Sequence, residues 1–453
     1  MSADTGVETA TFTRTRVAVV AICCATIIAD GYDLIVYGAV VPSLLQYEEW
    51  GLTVTEAGTI GSYALIGMLF VSLVVGTVTD IVGRRKIMLF CITWFSLAMG
   101  LCALAPSPEL FGLFRFIAGL GLGGVVPTAI ALTIEYAPPQ RRNFTNSIMF
   151  IGYSVGGILA ALLAIVLLPE FGFRTMFFIG LAPLVLIVPL AYKYLPESIE
   201  FLLANDRREE AEALARHYQM PIASAEPRPT QEDKVSTREN KWKALASLFS
   251  RNYVAATALF WAACFMGLLL VYGLNTWLSQ IMFDAGYPLG SSLAFLLVLN
   301  LGAILGTPLG GAAADRFGSK LVVTVMFLAA AASIFLLSFQ LPALALYLLV
   351  AVAGIGTIGT TILVNAYTAN YYPAGSRATG LGWSLGIGRL GAILGPIFGG
   401  LVLASNLGFE WNFYAFAIPA LLGALAIFLI PRSPNAAPAA SPEPAESRAP
   451  SSA

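Results

Sequence analysis

Two aspartates, Asp30 and Asp33, lie three residues apart inside the first long apolar stretch of the chain. At this spacing their carboxylates project from one face of a helix. Two close carboxylates in a low-dielectric interior cannot both ionise cheaply, so at least one of them is expected to hold a proton. The pair is therefore suited to taking up a proton on one side of a barrier and releasing it on the other.

Three further ionisable residues, Arg115, Glu135 and Arg389, also interrupt apolar stretches. Such groups are costly when unpaired, so they normally face a cavity or an oppositely charged partner. An arginine stays charged at any accessible pH and holds a carboxylate in a two-point fork. We predict that Asp30 and Asp33 carry a proton and that Arg115 and Arg389 bind a substrate carboxylate. A static aspartate–arginine pair that only locks helices together is the alternative.

The chain carries few other groups that could do chemistry. Its single histidine, His217, lies in a polar stretch, and its five cysteines lie in apolar stretches without metal-ligand spacing. The sequence contains no phosphate-binding glycine loop and no catalytic cluster. We therefore expect no cofactor, no metal ion and no enzymatic activity, and any proton that the protein moves must travel on carboxylates.

Aromatic and amide side chains recur within the apolar stretches and are candidates for contact with a planar substrate. Rings could stack on such a molecule while amides orient its polar edge. Each of these residues is also typical of helix packing or of an aromatic belt at the membrane interface. The candidates are Tyr37, Tyr272, Asn275, Trp277, Asn300, Asn365, Tyr367 and Trp383.

The elements that must position these side chains are membrane-spanning helices. The 453-residue chain is 58% hydrophobic and 11% charged, with a mean hydropathy of +0.79. Soluble domains are about 45–50% apolar and about 25% charged, so an ordinary soluble fold is excluded. Because roughly 20 apolar residues make one helical crossing, the sequence predicts twelve spans. They run at about 17–44, 57–79, 87–105, 110–136, 144–168, 173–195, 252–282, 289–313, 321–339, 342–368, 379–405 and 412–430.

The charged residues exclude one class of partner and orient the spans. With 25 basic and 26 acidic residues the net charge is −1, and phosphate binding needs a basic surplus, so nucleic acid is not an expected partner. Basic residues follow spans two, four, eight and ten, as at Arg85, Arg142 and Lys320, whereas the opposite loops are mostly acidic. Basic loops stay in the cytoplasm, so we expect a multi-pass protein of the plasma membrane with both termini cytoplasmic.

The chain divides into two bundles joined by a polar loop. We predict a cytoplasmic tail at 1–16, a six-helix bundle at 17–195, a cytoplasmic loop at 196–251, a second six-helix bundle at 252–430 and a disordered tail at 431–453. The start of the loop, residues 197–218, has the periodicity of an amphipathic helix. A monomer in the lipid bilayer is expected, although the sequence leaves the oligomeric state open.

The two bundles are repeats in one constant register, since the stretch 76–85 returns at 311–320 and Gly119 and Gly156 return as Gly354 and Gly391. Halves that end on the same side of the membrane imply parallel repeats about an axis normal to the bilayer. We therefore expect an all-α membrane protein of twelve transmembrane helices in two parallel-repeat bundles, suited to rocking around a central site. A passive channel or a receptor does not account for this duplication.

Residues that the repeats share are candidates for a gate. Asp80 and Asp315 can face a helix N-terminus, where the dipole favours an anion. Neighbouring basic residues can pair with acids at helix ends, although plain topology charge accounts for them equally well. The predicted gating residues are the repeated Asp80, Asp315, Arg85 and Arg377, together with Arg84, Glu135 and Arg316, which the other repeat does not match. Asp30, Asp33, Arg115, Glu135 and Arg389 have no charged counterpart in the other repeat, which favours a role with the substrate.

The charged glycine-containing loop after spans two and eight resembles, in both copies, the signature of the major facilitator superfamily, and this resemblance covers essentially the whole chain. Residues 30–38 resemble the first-helix signature of the aromatic acid:H+ symporters within that superfamily, as do stretches 119–138 and 382–396. The opening of the first span is most similar to the benzoate transporters. The first loop has Ile81 where many members carry Arg or Lys, and the second loop has Ser319 in place of an arginine.

This resemblance implies a proton-coupled symporter that imports an aromatic carboxylate, benzoate or a hydroxylated benzoate, by alternating access. It also implies that transport needs six of the charged residues, namely Asp30, Asp33, Asp80, Arg115, Glu135 and Arg389. The alternative within the same fold is an antiporter that exports drugs or metabolites, and only the motifs of spans one and eleven argue against it. The sequence leaves open the ring substituents, the stoichiometry and which aspartate carries the proton.

Overall fold

The computed structural model describes residues 4–137, 142–217, 243–405 and 407–431, and the predicted all-helical class is confirmed over these residues. The first half contains α1 (Asp4–Leu45), α2 (Val54–Val82), α3 (Arg84–Leu104), α4 (Pro108–Tyr136), α5 (Arg142–Ile179) and α6 (Ala182–Tyr194), followed by the short helices α7 (Ile199–Ala204) and α8 (Arg208–His217). The second half contains α9 (Val254–Asp284), α10 (Leu289–Phe317), α11 (Ser319–Leu336), α12 (Ala343–Gly354), α13 (Thr360–Tyr371), α14 (Ala374–Leu403) and α15 (Trp411–Leu429). A π-helical turn, Ile355–Gly359, joins α12 to α13.

Within the described residues, eleven helical segments are long and apolar enough to cross a membrane. One of them, Phe144–Tyr194, has 51 residues, which is about 76 Å of helix against a hydrocarbon core of about 30 Å. Gly172 interrupts this segment with a φ of 72°. Gly156 packs against the backbone of Tyr32, and the Tyr32 hydroxyl donates to the Met176 carbonyl at 2.7 Å. Because both arms meet the same tyrosine, the segment folds back on itself.

Equivalent glycines bring helices together in the two halves. A Cβ on Gly119 in α4 would lie 2.0 Å from the Ala64 carbonyl oxygen in α2. Its repeat counterpart, Gly354 in α12, would place a Cβ 2.0 Å from the Leu299 carbonyl oxygen in α10. Only a residue without a side chain allows helices to approach this closely. The repeat therefore has a structural counterpart at the same helix contact in each half.

The bundle has two ends, which we name the Trp50 end, with the turns 46–53, 105–107 and 285–288, and the Arg84 end, with the turns at Gly83 and Gly318. The two halves touch at the Trp50 end, where the Ser62 hydroxyl donates to the Ile393 carbonyl at 2.6 Å. A Cβ on Gly38 in α1 would lie 1.8 Å from the carbonyl oxygen of Asn275 in α9.

Towards the Arg84 end the faces of the same helices are exposed. A Cβ on Gly76 in α2 or on Gly382 in α14 would meet nothing within 4 Å. The described part of the chain is therefore closed between the halves at the Trp50 end and open at the Arg84 end.

The polar segments differ in two details from the sequence interpretation. The helix α1 begins at Asp4 and includes most of the predicted tail 1–16, because no proline interrupts residues 4–16. The single amphipathic helix predicted at 197–218 is divided into α7 and α8, since Asp206 adopts a φ of 59° between them. The two short helices pack through a small apolar cluster that includes Phe201 and Ala211. Most of the predicted disordered tail, 432–453, lies outside the described residues.

Candidate functional site

Asp33 and Arg115 form an ion pair between α1 and α4. Arg115 Nη1 donates to Asp33 Oδ1, and each side chain is only 1% exposed. The Arg115 guanidinium also lies 5.7 Å from the centroid of the Tyr37 ring, and its Nη1 is 3.7 Å from Met99 Sδ. The structure therefore brings together one aspartate and one arginine of the predicted set. This contact is expected both for a pair that only holds two helices together and for a pair that takes part in proton transport.

The ion pair leaves polar atoms unsatisfied. Asp33 Oδ2 and Arg115 Nε are buried and have no hydrogen-bond partner among the described residues. A buried ion pair is stabilised only when its remaining lone pairs and protons are also satisfied. Adding a proton to Asp33 or an anion beside Arg115 therefore changes the balance of charge in a site that lacks compensating groups.

Asp30 has different neighbours from Asp33. It is also 1% exposed, and its Oδ1 has no hydrogen-bond partner among the described residues. Its charge interacts with those of Asp33 and of the half-buried Arg389 on α14, although no ion pair within 4 Å joins Asp30 to Arg389 among the described side chains. The two aspartates therefore interact with each other and have different basic neighbours, Arg115 of α4 for Asp33 and Arg389 of the second half for Asp30.

Tyr153 is a site residue that the sequence interpretation missed. This tyrosine of α5 and Tyr272 of α9 interact across the two halves, and both interact electrostatically with Asp30 and Arg389. A signal for Tyr153 was present, because the register of the repeat maps it onto Gly388. It therefore breaks the repeat in the same way as the charged residues do.

Two predicted aromatic contacts pack helices together instead of facing open space. Tyr37 is buried and its hydroxyl donates to the Ala57 carbonyl at 2.5 Å. Trp277 is fully buried, and its Nε1 donates to the Pro396 carbonyl at 2.8 Å. Both bonds lie towards the Trp50 end, so these side chains help to hold that end together.

The predicted amides Asn275 and Asn300 form a buried pair beside the contact between the halves. Asn300 Nδ2 donates to Asn275 Oδ1 at 3.1 Å. A Cβ on Gly157 of α5 would lie 2.6 Å from Asn300 Oδ1, and Asn275 packs against Gly38 of α1 through its carbonyl. The amide pair therefore joins the two places where the first half meets the second.

The remaining predicted contacts lie apart from the aspartates. Cys264 Sγ is 3.9 Å from Asn365 Oδ1, and Tyr367 packs edge-on against Phe260 with ring centroids 5.1 Å apart. Trp383 is 44% exposed and stacks on Trp261. It precedes Arg389 by six positions on α14, which places it about 9 Å nearer the open Arg84 end.

Some of the predicted gating residues meet at the Arg84 end of the first half. Arg84 Nη1 is 2.8 Å from Glu135 Oε2, and Arg84 Nη2 is 2.9 Å from Glu200 Oε2. Glu135 Oε1 accepts the backbone N–H of Ile199 at 2.6 Å, so the same carboxylate binds the start of α7. Glu197 Oε1 accepts the backbone N–H of Arg85 at 2.9 Å at the start of α3. The sequence interpretation missed Glu197 and Glu200, although an acidic first turn beside a serine cap is a known helix-start signal.

The other predicted gating residues are not brought together. Asp80, Asp315, Arg316 and Arg377 are exposed at the Arg84 end, with no side-chain hydrogen bond or ion pair to another described residue. The Arg316 guanidinium lies 5.3 Å from the centroid of the Phe317 ring. The contact of Asp80 or Asp315 with a helix N-terminus, predicted for the gate, is thus not formed in the conformation described. No three His, Cys, Asp or Glu side chains within the described ranges cluster as a metal site.

The family model described as "Major Facilitator Superfamily" matches residues 23–303 and 296–452. The chain is 42% identical to a benzoate transport protein of Acinetobacter baylyi over 89% of this chain and 87% of that protein. It is 40% identical to a gentisate transporter of Corynebacterium glutamicum over 92% and 88%, and 31% identical to a 4-hydroxybenzoate transporter of Acinetobacter baylyi over 95% and 94%.

Solved structures share the fold at low sequence identity. The inward-open conformation of the xylose transporter XylE from E. coli matches with a TM-score of 0.74 at 16% identity, over 93% of this chain and 98% of that chain. A D-xylose-proton symporter matches with a TM-score of 0.73 at 18% identity, over 92% and 98%.

Proposed function

Because the chain belongs to the major facilitator superfamily, we propose that it imports an aromatic carboxylate together with protons by alternating access. The predicted resemblance to aromatic acid transporters, the multi-pass membrane location and the non-enzymatic class are confirmed by the family and by the relatives. The substrate class is supported by relatives named for benzoate, gentisate and 4-hydroxybenzoate, which share an aromatic ring that bears a carboxylate.

The observation that carries the proposal is the buried charge cluster between the halves. Asp30, Asp33 and Arg115 are each 1% exposed, and Arg389 of the second half interacts electrostatically with Asp30. A fold that needed only packing at this depth would use apolar residues, because unpaired buried charges are strongly destabilising. These charges are therefore explained best by a proton and an anion that bind there.

Charge balance suggests how the two solutes are coupled. When Asp30 is ionised, it neutralises the nearby Arg389. When Asp30 takes a proton, the charge of Arg389 becomes available to the carboxylate of the substrate. The site then keeps the same net charge with both solutes bound as with neither, so crossing the membrane with only one of them is disfavoured.

The described conformation fits one side of this cycle. We propose twelve crossings with both termini in the cytoplasm, and bundles at 17–195 and 252–430 that rock about the central site. The basic Arg84 end then faces the cytoplasm by the positive-inside rule. In this orientation the halves are closed to the outside at Ser62 and Gly38 and open to the inside. Asp80 and Asp315 would engage when the cytoplasmic side closes.

Uptake of labelled benzoate into proteoliposomes under an inward proton gradient tests the proposal. We expect Asp30→Asn to lose proton-driven accumulation, so that internal benzoate does not exceed the external concentration, because an amide cannot take up and release a proton. We expect the same variant to retain exchange of labelled for unlabelled benzoate, which needs no net proton movement. The matched control is Asp284→Asn, an exposed aspartate of α9 at the Trp50 end, which should transport normally.

Two results would contradict the proposal. Undiminished accumulation by Asp30→Asn would show that this carboxylate does not carry the proton. Proton-driven expulsion of labelled benzoate, in place of accumulation, would favour the antiporter alternative. Competition by a panel of substituted benzoates then defines the ring substituents that the site accepts.

A further inference from the structure

An apolar groove of about 360 Å³ runs along the outside of the second half between α10 and α11. Its floor is made by the small residues Gly306, Gly310 and Ala313 of α10, opposite Ile355 in the π-helical turn. Its walls include Leu309 and Phe317, which are 67% and 60% exposed. Large exposed apolar side chains mark surfaces that contact lipid in a membrane protein, so we infer that the groove opens towards the bilayer.

The groove is a property of the second half and not of the shared scaffold. In the register of the repeat, the three floor residues correspond to larger residues in the first half, namely Val71, Val75 and Val78. The π-helical turn at Ile355–Gly359 corresponds to positions 120–124, which are ordinary α-helix within α4. A π-turn inside a helix is rare and is often associated with a functional site. At these equivalent positions the second half therefore has smaller side chains than the first half.

The length of the groove matches one leaflet of the membrane. From Gly306 to Phe317 the lining residues extend over eleven positions of α10, or about 16 Å at 1.5 Å per residue. This is about half of a hydrocarbon core of about 30 Å. The groove ends at the Arg84 end, where the interface with lipid headgroups lies.

Basic side chains stand at this end of the groove. Arg316 lies over the ring of Phe317, a lining residue, at 5.3 Å. Lys320 precedes the lining residue Leu321, and its Nζ donates to the Ile430 carbonyl at 2.6 Å while further N–H groups remain for another acceptor. Arg316 also breaks the repeat, because its counterpart is Ile81. The exposed Asp315 is the nearest acid in sequence.

We propose that this groove is a binding site for an anionic phospholipid of the leaflet at the Arg84 end. One acyl chain lies on the floor formed by Gly306, Gly310 and Ala313, and the phosphate contacts Arg316 and Lys320. Basic pockets beside transmembrane helices are suited to anionic headgroups, and the small floor residues provide the matching space for an acyl chain. The inference does not depend on the identity of the transported substrate.

Native mass spectrometry of the full chain, purified in detergent and titrated with phosphatidylglycerol or phosphatidylcholine of the same acyl chains, tests this site. We expect the natural protein to bind one phosphatidylglycerol about thirtyfold more tightly than phosphatidylcholine, which is the ratio that two basic side chains beside an anionic headgroup imply. The double variant Arg316→Gln, Lys320→Gln should bind the two lipids equally. Ala313→Leu, which fills the floor and leaves the charges, should weaken the binding of both lipids.

The control is Val78→Leu, which adds one methylene group at the equivalent, exposed position of the first half and should bind lipid as the natural protein does. Size-exclusion chromatography checks that each variant is folded. If Ala313→Leu does not fold, Leu309→Ala, which removes an exposed wall of the groove, should weaken binding instead. Equal binding of both lipids to the natural protein, or equal weakening by Ala313→Leu and Val78→Leu, would show ordinary lipid contact and overturn the proposal.

Discussion

A double-mutant cycle at the ion pair between Asp33 and Arg115 distinguishes two roles for these residues. The pair is either a lock, which only holds α1 against α4, or part of a carrier, which moves a proton during transport. Asp33→Asn leaves the Arg115 charge buried without its partner, and Arg115→Gln leaves the Asp33 carboxylate in the same position. The double variant Asp33→Asn, Arg115→Gln contains neither charge and keeps side chains of similar size. The three variants therefore differ in buried charge with little change in packing.

The size of the effect follows from the burial of both side chains, which are 1% exposed. Removing one partner of a buried ion pair costs about 3–5 kcal/mol, whereas replacing both partners by apolar residues of similar volume is often close to neutral. The two amides of the double variant contain no charge and can hydrogen-bond to each other, so a similar result is expected for them. With about 2.1 cal/mol/K of unfolding entropy per residue, the 453 residues give about 1 kcal/mol/K. Each single variant should therefore melt about 3–5 °C lower, and the double variant should return to within about 1 °C of the natural protein.

The assay combines melting, followed by intrinsic fluorescence in detergent, with proton-driven uptake of labelled benzoate in proteoliposomes. A carrier predicts that the double variant regains stability and still fails to accumulate substrate. If the double variant regains both stability and uptake, the pair is only a lock, and Asp33 has no role in coupling. If the single variants melt like the natural protein, the pair does not contribute to the fold.

Three further predictions concern helix contacts away from the charge cluster. Ser62→Ala removes the hydrogen bond to Ile393, which is worth about 1 kcal/mol. The population of molecules that are open at the Trp50 end should therefore increase about fivefold. The distance between spin labels on the turns of the two halves at that end measures this population. Glu135→Ala removes the acceptor at the start of α7 and should raise amide hydrogen exchange of Ile199–Ala204 about tenfold, as expected for one charged hydrogen bond; unchanged exchange would contradict the contact. Gly119→Ala places a Cβ 2.0 Å from a carbonyl oxygen, with an overpacking cost of at least about 1–3 kcal/mol, and should reduce the yield of monodisperse protein. The control Gly76→Ala adds a Cβ in open space and should leave the yield unchanged.

Much of the helical fold was predictable from local features of the chain. Apolar length predicts where helices cross a membrane, since the hydrocarbon core excludes unpaired backbone groups. The constant register of the repeat predicted equivalent positions such as Gly119 and Gly354, which make equivalent contacts in the two halves. The break of the loop helix at Asp206 was missed, because a single residue of positive φ in a polar stretch leaves no clear mark on the periodicity.

The site was predictable as a set of residue types but not as a set of contacts. Charges within apolar spans identified Asp30, Asp33, Arg115 and Arg389, because each is costly in a membrane without a partner. The choice of partner was not predictable, since Arg115 reaches Asp33 only through the packing of α4 against α1. Tyr153 breaks the repeat as these residues do. Tyrosines are common in membrane helices, however, so this signal alone did not distinguish a site residue from one that packs helices together.

Composition, apolar length and the internal repeat thus indicated by themselves a helical membrane protein with charged residues inside its apolar spans, because these properties depend on residues near one another in sequence. The tertiary structure alone decided that Asp33 pairs with Arg115, that Asp30 faces the second half, that Asn275 and Asn300 lie at the closed end and that a groove separates α10 from α11. Each of these features depends on the rotation and spacing of helices distant in sequence. That geometry comes from the packing of many side chains at once, and no short stretch of the chain contains it.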